Sequence, residues 1–70
     1  MAKYLAVYNV LIQPHEEAPE EEKRNYDIVA KDDADAKKQA KAQKTDILRE
    51  LLFGSNVTLE RLVKIKEIKL

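Results

Sequence analysis

Apolar side chains recur at every second position over residues 3 to 13, KYLAVYNVLIQ, and both alternating sets are apolar. Tyr4, Ala6, Tyr8, Val10 and Ile12 form one set; Leu5, Val7 and Leu11, interrupted by Asn9, form the other. Period-two alternation in Val, Ile, Leu and Tyr predicts a strand, and Pro14, which has no N–H to give a ladder, ends it. Tyr26, Ile28 and Ala30, alternating with Asn25, Asp27 and Val29, predict a second strand over residues 24 to 31. Between the two lies PHEEAPEEEK, residues 14 to 23, with two prolines and five glutamates. Fixed φ angles and like charges predict an exposed, mobile acidic loop there.

The period then lengthens. Asp32 and Asp33 offer an N-cap, Asp35 suits the positive first turn, and ADAKKQAKAQKTDILRELL predicts a helix over residues 34 to 52. Ala36, Ala40, Gln43, Ile47 and Leu51 make its apolar stripe, flanked by Lys44 and Leu48. Gly54 marks the expected stop. GSNVTLERL reads as a connector, and RLVKIKEIKL, residues 61 to 70, as the last strand. Its alternation slips after Ile65, so a bulge is expected near Lys66 and Glu67. A helix over 58 to 68 is the rival reading, carried by Leu59, Leu62, Ile65 and Ile68; the β-branched content favours a strand.

The order β-β-α-β predicts an α+β fold. It is a three-stranded antiparallel sheet, order 2-1-3, with one helix packed on one face. The most apolar strand belongs in the middle. The tyrosine set and Tyr26, Ile28 and Ala30 are assigned to the helix side, where Ala6, Ala30, Ala36 and Ala40 let the layers approach. Leu5, Val7, Leu11 and Val29 then project from a face with no lid, a patch of the kind that marks an interaction surface. Burying three of them at about 1.5–3 kcal/mol each would gain roughly 5–9 kcal/mol before association entropy. One rival has the acidic loop or the C-terminus folded across the patch. Another reverses the faces and presents Tyr4, Tyr8 and Tyr26 as a stacking platform.

Length sharpens that expectation. Seventy residues make one domain, residues 1–70, and a chain this short buries only about 60% of its unfolded surface. With no cysteine to add disulfides or thiolate metal ligation, association with another copy or a protein partner is the remaining support. No export signal and no apolar run of membrane-spanning length stand in the sequence, so a cytoplasmic, non-membrane protein is expected. The Asn56-Val57-Thr58 sequon is then a chance match.

Candidate chemistry is sparse. His15, Glu16 and Glu17 are successive loop residues that do not converge as metal ligands, Ser55 has no base beside it, and Gly54 is the only glycine. No enzyme, cofactor or metal is expected. Net charge is zero, yet residues 1–35 hold nine acids and four bases while residues 36–70 hold the reverse. Lys37, Lys38, Lys41 and Lys44 on the helix could follow phosphates, without the interleaved aromatics that read bases. The expected function is a small non-enzymatic interaction or assembly module, homodimerising through the open sheet face. The alternative is an accessory nucleic-acid-binding protein using the lysine face.

Overall fold

A computed structural model describes residues 1–69 of the chain. The strands are β1, Ala2–Ile12; β2, Glu20–Ala30; and β3, Asn56–Glu67; the helix α1 spans Asp33–Arg49. The chain is an α+β fold of order β-β-α-β, with an antiparallel sheet ordered β2-β1-β3 and α1 against one face. Among the described residues no helix is long and apolar enough to cross a membrane.

The central strand takes the most apolar sequence because only there are both edges and one face shielded from water. Ala2, Tyr4, Ala6, Tyr8 and Val10 are all buried on the helix side, with Ile28 and Ala30 of β2 and Val57 of β3. Ala36, Ala40 and Ile47 descend from α1 onto them, and Leu51 packs at the edge of the core. Tyrosines therefore face inward, and the stacking-platform alternative is excluded.

Local chemistry starts and rotates the helix. The Asp32 carboxylate accepts the Asp35 N–H at 2.8 Å, capping the first turn. Asp35 in turn accepts from the Lys31 N–H and from Gln39, whose Nε2 also donates to the Val29 carbonyl at 3.0 Å. That bond turns the Asp35–Gln39 side of α1 toward β2. The lysine side, centred on Lys37, Lys41 and Lys44 at 100° per residue, consequently turns toward β3.

Three boundaries differ from expectation. β2 begins at Glu20 rather than 24, so the connecting loop is residues 13 to 19 and the acids Glu20–Glu22 form strand. The backbone of Val10, Leu11 and Ile12 needs a ladder partner, and an edge strand can supply one while keeping its carboxylates in water. The helix stops at Arg49, with Glu50 as C-cap, and Gly54 (φ 88°) sits in a separate turn below it. Leu11 pairs with Asn56, so the chain must drop from the helix layer to the sheet before β3 begins.

β3 itself starts at Asn56, well before 61, which also removes the rival helix over 58–68. Its register with β1 shifts twice, leaving Glu60 and Ile65 as extra residues; the single bulge expected near Lys66 and Glu67 is displaced to these two sites. Leu70 of the expected strand lies outside the described residues. The Ile68 N–H donates to the Met1 carbonyl at 2.7 Å and prolongs the ladder by one step.

Candidate functional site

The face away from α1 is built from alternate residues of three strands. Lys3, Leu5, Val7, Asn9 and Leu11 run down its centre, with Val29, Asp27, Asn25, Lys23 and Glu21 beside them on β2. Lys66, Val63, Arg61, Thr58 and Asn56 complete it on β3. Among the described residues no second layer covers it.

The expected interface residues Leu5, Val7, Leu11 and Val29 all lie on this face but differ in accessibility. Val7 is only 4% exposed, Leu5 and Leu11 are half-buried, and Val29 is 45% exposed. Val63, opposite Leu5, is 43% exposed and joins the patch. Val7 is flanked by polar residues, with Asn25 and Arg61 as its register partners. Lys23 of β2 donates to both carboxylate oxygens of Glu60 at 2.7 and 2.8 Å, so a charged bar crosses β1 between Val7 and Asn9. The aliphatic stems of such a pair cover hydrocarbon while the charged ends stay in water. The Lys23 hydrogen bonds, then its charge, hold the Glu60 carboxyl below its ordinary range. Nearer the Met1 end, Lys3 and Asp27 form a second bridge at 3.3 Å. The bar divides the apolar surface into Leu5, Val29 and Val63 above it and Leu11 below.

Lys37, Lys38 and Lys41 are exposed and Lys44 is half-buried. None of the four forms an ion pair among the described residues. By helix rotation Lys37, Lys41 and Lys44 stand over the β3 flank, where Lys64 is already bridged to Glu67, while Lys38 lies on the side of α1 away from the sheet.

Remaining candidates have structural employment. Ser55 Oγ accepts the Gln13 N–H at 2.9 Å and ties the end of β1 to the approach to β3. His15 is almost wholly exposed and meets only Glu16, at 3.7 Å. Among the described residues no group of three or more His, Cys, Asp or Glu side chains is arranged to hold a metal ion.

Two tyrosines are electrostatically perturbed on the helix side. Tyr4 donates to an Asp33 carboxylate oxygen at 2.5 Å; that hydrogen bond, then burial and the charges of Asp33, Asp32 and Glu67, push its phenol up to about 12. Burial foremost, with Tyr26 beside it, raises Tyr8. A folded-state value above the unfolded 10.0 means that the Tyr4 contribution is complete below pH 10. It is lost as pH rises from there through about 12. Phenolate absorbance should show Tyr4 ionising late, and Tyr4→Phe should abolish that part of the alkaline stability loss. Ionisation of Tyr4 at its ordinary value would contradict the geometry.

One feature escaped the sequence pattern. Phe53 is fully exposed and Leu52 more than half so, beside a solvent-open cleft of 430 Å³ between the 13–19 loop and the turn after α1. Three successive apolar residues, Leu51-Leu52-Phe53, cannot all face one side of a helix, and that run was the available signal.

Comparison with protein-family models, with curated proteins and with solved structures gives no match to this chain.

Proposed function

We propose that this chain is a non-enzymatic, cytoplasmic interaction or assembly module that homodimerises through its open sheet face. The observation carrying this reading is that among the described residues the sheet has a lid on one side only, with Leu5, Leu11, Val29 and Val63 partly accessible on the other. Strands of 11 residues at about 3.3 Å per residue, three abreast at about 4.8 Å, give a face of roughly 500 Å². Two such faces bury about 1,000 Å², the lower limit for a specific interface. Recovering the remaining exposure of four side chains on both copies is worth about 6–12 kcal/mol, against an association cost of at least ~4 kcal/mol. The surplus, at most about 2–8 kcal/mol, corresponds to a dissociation constant between about 1 μM and 30 mM. The bar of Lys23 and Glu60 requires each partner to offer polar groups at that level, which favours a self-complementary fit over indiscriminate adhesion.

Sedimentation equilibrium up to millimolar protein, with amide shifts followed over the same range, tests this reading. Concentration-dependent shifts at Leu5, Val29 and Val63 and a rising mass are expected, and Val63→Lys should suppress both. A strictly monomeric particle at millimolar concentration would remove the dimer. The unpaired lysines of α1 support a second reading, accessory binding of nucleic acid. It predicts salt-sensitive shifts at Lys37, Lys38, Lys41 and Lys44 on adding random duplex.

A further inference from the structure

Hydrocarbon and unneutralised negative charge meet at the end of the molecule formed by the 13–19 loop, the turn after α1 and the start of β2. Phe53 is fully exposed, and Leu52, which precedes it and also lines the cleft, is more than half exposed. The adjoining 430 Å³ cleft is lined by Gln13, Pro14, His15, Glu16, Leu52 and Phe53. Around it, Glu17, Glu20 and Glu21 form no ion pair among the described residues, and Glu16 meets only the exposed His15. The carbonyl end of α1 points the same way and adds the negative pole of the helix dipole. The bases nearby are already engaged: Arg24 with Glu22 at 2.6 Å, Arg49 with Asp46 at 3.9 Å, Lys23 with Glu60.

We propose that this tip is a docking site for a partner segment in which apolar side chains alternate with lysines or arginines. Charge selects that chemistry. A purely apolar partner would strip water from the carboxylates and return nothing, whereas an acidic segment or an anionic lipid surface would be repelled. A basic and apolar segment seats its hydrocarbon on Phe53 and in the cleft while its cations meet the glutamates at a wet rim. The small extent of the cleft fits a peptide better than a folded surface, and the contact is of the weak, exchangeable kind. The tip shares only Glu21 with the open sheet face, and its apolar residues Leu52 and Phe53 lie outside that face, so the two surfaces are read out by different residues.

The test is a titration of the isotopically labelled full chain with a short blocked peptide alternating leucine and lysine, read by amide shifts. Shifts should centre on Gln13, Glu16, Leu52 and Phe53 and weaken as salt is added. A counterpart peptide with glutamate for every lysine should bind at least about tenfold more weakly, and Phe53→Ala should cost a similar factor. Phe53 is fully exposed, so the unliganded spectrum of the variant should keep the native pattern. Leu52→Gln gives a second variant for the same readout. Equal binding of the two peptides would overturn the proposal. So would undiminished binding by Phe53→Ala and Leu52→Gln, or shifts confined to Leu5, Val29 and Val63. Concentration-dependent shifts at Phe53 and Ile65 without any peptide would overturn it in favour of a second copy. Failure of the sheet-face dimer leaves the tip shifts unaffected, which separates the two results.

Discussion

Replacing Tyr8 by alanine is expected to leave most of the chain unfolded in water at room temperature. Tyr8 is fully buried on the central strand, its hydroxyl donates to the Ala40 carbonyl at 2.7 Å, and its ring meets Tyr26 edge-on with centroids 5.7 Å apart. Truncating a buried aromatic costs about 3–5 kcal/mol through lost transfer energy and the cavity left behind. A domain of 70 residues has a total stability of only about 4–10 kcal/mol, and one with so thin a core belongs near the lower figure. Tyr8→Phe is the informative companion. It keeps the ring and loses the hydroxyl bond, whose acceptor is a helical carbonyl with a second lone pair, so the expected cost is about 0.5–1.5 kcal/mol. Urea unfolding followed by circular dichroism separates the two variants. Equal midpoints for Phe and Ala would mean that the ring carries none of the packing assigned to it.

The second large effect is expected at the seam between helix and sheet. Ala36 and Ala40 on α1, with Ala2, Ala6 and Ala30 below, are buried almost without remainder. Five alanines at one seam let the two layers approach closely, and no space remains for a larger side chain. Ala40→Leu should therefore lift the helix, strain its packing and pull the Ala40 carbonyl from Tyr8, at a cost of about 1–3 kcal/mol. For a domain of this size each 1 kcal/mol lowers the melting temperature by about 4–8 °C. Ala42→Leu is the control: two residues along the same helix but exposed, it should change stability by no more than about 0.5 kcal/mol. Similar melting of the two variants would show that the seam accommodates bulk.

These residues were legible because alternation on β1 is regular. With one face carrying two tyrosines and the larger apolar set, the sequence itself indicated which side the helix must cover. Topology followed from there, since a lone helix and a single strongly apolar strand leave few arrangements. The start of β2 was hidden because Glu20–Glu22 carry no apolar alternation; their strand state comes from the ladder needs of Val10–Ile12. The end of α1 was hidden because Leu51 continues its apolar stripe, while the descent to β3 ends it at Arg49. Of the four residues expected at the open face, the side of the sheet was readable and the degree of shielding was not. Val7 lies beside a charge pair that joins two residues 37 apart in sequence, an arrangement that no local pattern announces. The exposure of Phe53 was not readable, because its position depends on the turn between α1 and β3 and not on any periodic stripe.

β3 resisted reading for a different reason: twelve of its residues face ten of β1, so the inward parity changes from odd at Val57 and Leu59 to even at Leu62 and Lys64, then back at Glu67. Two residues are thus surplus to the architecture. A gene edited to omit Glu60, Ile65 or both would still aim every inward side chain of that strand at the interior, at the cost of the bar beside Val7 where Glu60 is the one removed. The same loss anywhere along β1 would invert half of the protein's most hydrophobic segment. Tolerance of shortening is therefore concentrated at one margin of the sheet, and there length can drift without the fold noticing.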